Sequence, residues 1–111
     1  MDPWILWARE EMARRLHEPC ILEHLAAAMD LSLSRFTRLF TECEGVAPDE
    51  YLHRLRLARA KLLLERTFLS VAQVMALVGL SDASGFEDDF RRVYGIAPRV
   101  LREQVWGSSP R

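Results

Sequence analysis

The sequence predicts an all-α fold: two helix-turn-helix subdomains joined by a long linker helix, about six to seven helices in all. Three observations carry this expectation. Apolar residues recur at helical spacing along nearly the whole chain, and no segment alternates apolar and polar over the length of a strand. Glycine and proline fall where the periodic segments stop and start. A motif also repeats: Phe36-x3-Phe40-x4-Gly45-x-Ala47-Pro48 returns as Phe86-x3-Phe90-x4-Gly95-x-Ala97-Pro98, fifty residues on. Upstream, Leu25-Ala26 returns as Val74-Met75, one residue out of step, which places an insertion near Ser81.

Each element follows from local signals. Pro3 stands near the start of a first helix over about 4–17, with Ile5, Ala8, Met12 and Leu16 as its apolar stripe and Pro19 as its end. Trp4 and Trp7 are expected to complete the packing of this helix; the other reading has them facing a further domain. A second helix covers about 22–29. Ser32 suits the N-cap of a third helix, and Gly45 suits the position just past its end. Pro48 opens a long fourth helix, about 48–65, where a missing N–H costs nothing. Ser70 with Gln73 forms a capping-box pair that starts a fifth helix, running to about 77 and stopped by Gly79. Asp82 suits the N-cap of a sixth helix, which ends before Gly95. The turn inside each unit needs a residue that accepts positive φ; Gly79 does so freely and Asp30 tolerably. The chain therefore reads as one domain, 1–111. Its first unit covers about 4–47, the linker helix about 48–65 and the second unit about 66–104, with a flexible tail over 105–111.

Composition narrows the class. Half of the 111 residues are apolar, which excludes a disordered chain. The 28% of charged residues form no long like-charge block, as in a soluble globular domain. No apolar run approaches the ~20 residues of a membrane span, and the acidic Met1-Asp2-Pro3-Trp4 start does not resemble a signal peptide. Cys20 and Cys43 read as free thiols in a reducing cytoplasm, which is the expected location. His17-x2-Cys20-x3-His24 has a superficial metal-ligand spacing, but Pro19 interrupts it and no fourth ligand stands nearby, so no metal is expected. No nucleophile–base pattern, phosphate-cradling glycine loop or paired-carboxylate cleft appears, so neither an enzyme nor a cofactor is expected.

A net charge of -1 argues against a strongly basic polyanion binder, though a local basic face would suffice. Residues 46–66 hold five basic against three acidic side chains; residues 21–45 hold two against four. In a helix-turn-helix the second helix offers the exposed side of its N-terminal half to a DNA major groove. In the first unit that side carries Ser34, Arg35, Thr37, Arg38 and Thr41. Arg38 can fork onto a guanine edge or a phosphate, and Ser34 and Thr37 can bond base edges or phosphates. The matching positions of the sixth helix are Ala83, Ser84, Gly85, Glu87 and Asp88. There the chemistry inverts, because Glu87, Asp88 and Asp89 repel phosphates. At ~4 Å and an effective dielectric of about 20, one such contact costs about 4 kcal/mol before screening. A carboxylate can accept from cytosine N4, however. Gly85 weakens the helix by about 1 kcal/mol relative to Ala. Arg54, Arg56, Arg91 and Arg92 are candidate phosphate contacts, with Arg59 beside them on the fourth helix. Arg56 has an equal alternative, pairing with a carboxylate to fix that helix. His53 reads as a solvated side chain.

These residues resemble the AraC/XylS-type transcription regulators over roughly 4–102. The motifs are Leu25-Ala26, Ser32-x3-Phe36-x-Arg38-x-Phe40, Gly45-x-Ala47-Pro48-x2-Tyr51-Leu52, Arg56-Leu57-x2-Ala60-x2-Leu63-Leu64, Val78-Gly79-Leu80-Ser81-Asp82 and Phe86-x3-Phe90-Arg91-x3-Gly95-x-Ala97-Pro98. The resemblance implies base or backbone contacts to double-stranded DNA from Ser34, Thr37 and Arg38, and from Ala83, Ser84, Glu87 and Asp88. Family members usually hold a basic or polar residue in place of Asp88 and an aromatic in place of Gly85. It also implies a sensor or dimerisation domain as partner, generally N-terminal and not within these residues. Glu87-Asp88-Asp89 carries two readings: a protein-contact patch, for RNA polymerase for example, or favourable charge in the first turns of a helix. The leading expectation is a bacterial sequence-specific DNA-binding domain that reads major-groove bases mainly through the first unit. The linker would set the second unit about one helical turn (~34 Å) along the duplex. The competing expectation is a protein-interaction module on the same scaffold, with DNA binding weak or lost.

Overall fold

A computed structural model of the chain describes residues 2–107. Seven helices occur among the described residues: α1 (Pro3–Arg14), α2 (Ile21–Ala28), α3 (Leu33–Glu44), α4 (Pro48–Arg66), α5 (Val71–Val78), α6 (Ala83–Tyr94) and α7 (Pro98–Trp106). No strand occurs among them. The chain divides into two compact units after Leu55, inside α4.

The first unit packs α1, α2, α3 and the start of α4. Asp2 caps α1 by accepting from the Trp4 N–H at 2.8 Å, with Pro3 at the first helical position. Ile5, Ala8, Met12 and Leu16 are buried together with Ile21, Leu25, Ala26, Phe36, Phe40 and Leu52 as the core of this unit. Phe36 and Phe40 are fully buried, each such side chain contributing roughly 1.5–3 kcal/mol of hydrophobic stabilisation. Tyr51 extends the aromatic stack edge-on, 5.3 Å from Phe40. Its hydroxyl accepts from Arg9 Nε at 3.0 Å, which ties α1 to α4.

The second unit packs the rest of α4 with α5, α6 and α7. Its core is Leu57, Ala60, Leu64, Val74, Met75, Val78, Phe86, Phe90 and Leu101. Phe86 and Phe90 repeat the first unit's pair at 5.6 Å, and Tyr94 extends the stack at 4.8 Å. The Leu64 carbonyl, in the last turn of α4, accepts from Arg102 Nε at 2.8 Å and from Trp106 Nε1 at 3.3 Å. A guanidinium at a helix C-terminus also complements the helix dipole.

The two internal turns are built alike. After α2, the Leu31 N–H reaches back to the Ala26 carbonyl and the Asp30 N–H to Ala27, with Asp30 at φ 59°. After α5, Leu80 reaches Met75 and Gly79 reaches Ala76, with Gly79 at φ 83°. Both are Schellman motifs. One residue separates Asp30 from the N-cap Ser32, and two separate Gly79 from Asp82. That is the extra residue near Ser81.

The structure departs from the sequence-based expectations at four places. Helix α1 ends at Arg14, not near 17, because Glu18 folds back onto the Arg15 carbonyl and the Arg15 guanidinium spans Glu11 and Glu18. Trp4 does not complete the packing of α1: it is 57% exposed and meets Trp7 edge-on at 6.3 Å. Helix α7 has no element of its own in the sequence-based reading, although Ala97-Pro98 duplicates the pair that opens α4. Within the expected flexible tail, Val105 and Trp106 form the last turn of α7, held by the Trp106 indole; positions 108–111 lie outside the described residues.

Candidate nucleic-acid interface

Helix α3 begins with a neutral cap. Ser32 accepts from the Arg35 N–H at 3.1 Å, and the helix ends at Gly45 with φ 77°. Phe36 and Phe40 anchor it inward, which turns the rest outward. Ser34, Thr37, Arg38 and Thr41 follow the spacing i, i+3, i+4, i+7 and form one outer stripe. Arg35, Arg38, Leu39 and Glu42 form a second stripe that shares Arg38; with Leu31 they line a shallow depression of about 140 Å³. Ser34, Arg35, Arg38 and Thr41 are exposed and Thr37 is half-buried. The Thr41 hydroxyl donates to the Thr37 carbonyl at 2.7 Å, so its proton is committed to the backbone. Arg35 and Arg38 take no ion-pair partner among the described residues. Glu42 was not among the sequence-derived candidates, though its seven-residue spacing from Arg35 signals a shared face.

Helix α6 starts differently. Its cap is the carboxylate Asp82, which accepts from the Gly85 N–H at 3.2 Å and from Ser84 Oγ at 3.2 Å. Gly85 has a local reason beyond helix propensity: a Cβ there would lie 2.5 Å from Asp82 Oδ2. Ala83, Ser84, Glu87 and Asp88 are all exposed. The carboxylates are not equal. Asp88 pairs with Arg91 at 3.3 Å and Asp89 with Arg92 at 2.8 Å, one turn along the same helix. Glu87 takes no charged partner among the described residues. It instead lines a depression of about 220 Å³ with Val71, Met75, Ala83, Phe86, Pro98 and Arg99. Arg99 also escaped the sequence-based reading, because its place beside Glu87 depends on how α7 packs.

The four candidate phosphate contacts divide. Arg54 is exposed and paired with Glu50 at 2.9 Å, and Arg91 and Arg92 are exposed in the pairs just given. Exposed pairs within one helix are weak and can yield to a stronger anion. Arg56 is half-buried, and burial lowers its basicity, so it is the least open of the four. His17, Cys20 and His24 are exposed, and no three His, Cys, Asp or Glu side chains among the described residues stand together as a metal site. No helix among these residues is long and apolar enough to cross a membrane.

Two helix-turn-helix units with outward-facing second helices define a DNA-recognition class of fold. Comparison with known proteins places the chain within that class. Residues 25–104 match the family model described as a helix-turn-helix domain. The chain belongs to the AraC-type helix-turn-helix family of transcription regulators. It is 34% identical over 92 residues to the transcriptional regulator GbdR of Pseudomonas aeruginosa, covering 83% of this chain and 25% of that protein. It is 36% identical over 103 residues to the transcriptional activator RhaS of an Enterobacter species, covering 93% of this chain and 36% of that protein. The chain thus spans about a quarter to a third of the length of these relatives. Among solved structures, it is similar to an AraC-type regulator from Chromobacterium violaceum, with 31% identity, TM-score 0.81 and coverage of 92% and 91%. It also resembles the DNA-binding domain of the global transcriptional factor AdpA, solved with a target DNA, with 30% identity, TM-score 0.84 and coverage of 100% and 99%.

Proposed function

We propose that this chain binds duplex DNA sequence-specifically and reads major-groove bases mainly through its first unit. The observation that carries the reading is the outer face of α3. There Arg35 and Arg38 stand exposed without ion-pair partners among the described residues, flanked by Ser34 and Thr37. Two unpaired guanidinium groups on one helix face give up no internal pair to reach a base edge or a phosphate. Arg38, shared by both outer stripes, is the residue placed to fork onto a guanine. Arg54 supplements it at the phosphate backbone by exchanging a weak surface pair for phosphate, and Arg91 and Arg92 do so through the guanidinium N–H groups that their pairs with Asp88 and Asp89 leave open. The similarity to the AdpA domain, solved on its target DNA, supports the same reading. DNA binding also accords with a cytoplasmic regulator.

The test is selection of the chain against a random-sequence duplex library at two salt concentrations. Enrichment of a defined sequence block that is lost in Arg38→Ala supports the reading. Affinity should fall with salt at a log–log slope of about 0.9 per phosphate neutralised. No enrichment at low salt sinks it and favours a protein-interaction module on this scaffold.

A further inference from the structure

The charge inversion between α3 and α6 has a narrower meaning than loss of DNA binding. In α6, two of the three adjacent carboxylates are neutralised by arginines on their own helix, Asp88 by Arg91 and Asp89 by Arg92. Glu87 alone remains exposed and unpaired among the described residues. By the fifty-residue repeat it occupies the position of Thr37 in α3. It also shares a depression with Arg99, and the two make no ion pair within 4.0 Å. An open carboxylate on a groove-facing helix is penalised near phosphates and next to acceptor-rich guanine. The major-groove group that favours a pure acceptor without supplying a competing acceptor in its own base is the cytosine N4 amino group; adenine sets N7 beside its N6 amino group. Arg99 supplies the cation that lets a phosphate approach the same region despite Glu87.

We infer that Glu87 is the specificity-determining residue of the second unit: it selects cytosine by accepting from the N4 amino group, while Arg99 holds the neighbouring phosphate. This rests on the DNA-binding reading above, and it assigns α6 a base rather than silence.

The experiment repeats the library selection with the wild-type chain, Glu87→Gln and Arg99→Ala, with thermal unfolding of each confirming an intact fold; both side chains are exposed. The wild type should enrich a second block with one fixed C·G position. Glu87→Gln should move that position toward A·T, because an amide pairs with adenine N6 and N7, and should lose roughly 5- to 150-fold of the preference for cytosine. Positions read by α3 should not change. Arg99→Ala should weaken binding to all sequences alike and reduce the salt slope by about 0.9. Identical base preferences in wild type and Glu87→Gln overturn the inference, leaving the first unit's reading intact if its block persists. Loss of every enriched block in the wild type overturns both.

Discussion

Helices α3 and α6 have the same length, the same pair of inward phenylalanines and the same left-handed glycine at the end. Their outer faces have opposite charge order. Helix α3 carries unpaired arginines in its first half and the exposed Glu42 in its second. Helix α6 carries Glu87, Asp88 and Asp89 first and then Arg91 and Arg92. The repeat therefore preserves what packing requires and frees what solvent sees. A buried phenylalanine leaves a cavity when trimmed, so it resists change. An exposed charge alters folding stability little, so the two faces can diverge toward different partners.

The comparison can be broken first through the cores. Phe40→Ala and Phe90→Ala each remove a fully buried ring and should each cost about 3–5 kcal/mol of folding stability, measured by denaturant unfolding. Similar costs at the two sites are the expected result; a small cost at one would show that the repeat is not packed equally. Next come the outer faces. Arg38→Ala should weaken binding to a selected duplex by about 1–3 kcal/mol. Asp88→Ala, one repeat later, should leave affinity unchanged or raise it. A loss at Asp88 equal to that at Arg38 would erase the asymmetry.

The helix starts give a smaller effect. Ser32→Ala should cost about 1 kcal/mol of folding stability. Gly85→Ala should gain less than the ~1 kcal/mol of an open helix position, because the new Cβ meets the Asp82 carboxylate. In an Asp82→Ala background the full gain should return. Additivity of the two changes in thermal melts would contradict that contact.

The smallest expected effect is on pH. Side-chain bonds from Arg14, then Arg15, hold the Glu11 carboxyl below its ordinary range, and Arg15 does the same for Glu18. These lowered values stabilise the first unit fully above pH 4.5, and the contribution is lost as pH falls through the folded-state values. In the second unit, burial raises the Tyr94 phenol above its ordinary 10.0, so its contribution is complete below that pH and is lost as pH rises through the folded value. Amide protection factors, taken against the intrinsic exchange rate at each pH, should therefore fall in α1 on the acid side and in α6 on the alkaline side. Acid and alkali acting alike on both helices would argue against these local causes.

Caps, turns and the repeat were legible from residue order because they are local. Ser70 with Gln73 forms the expected capping box, Gly79 and Asp30 hold the positive φ angles, and Phe36, Phe40, Phe86 and Phe90 are the buried rings. The outward placement of Ser34, Arg38, Glu87 and Asp88 followed from the same inward rings through helical geometry. Three features depend instead on which side chains meet across distances in sequence or on chosen rotamers. Helix α7 gains its anchor only where Arg102 and Trp106 reach the Leu64 carbonyl. The neutralisation of Asp88 and Asp89, and the isolation of Glu87, depend on which rotamers Arg91 and Arg92 adopt. Arg99 stands beside Glu87 because α7 packs against α6. Local backbone preference and hydrophobic period act within a few residues and are written in their order. Pairing of long charged side chains is settled by packing, because each has several partners within reach until the neighbouring helices are in place.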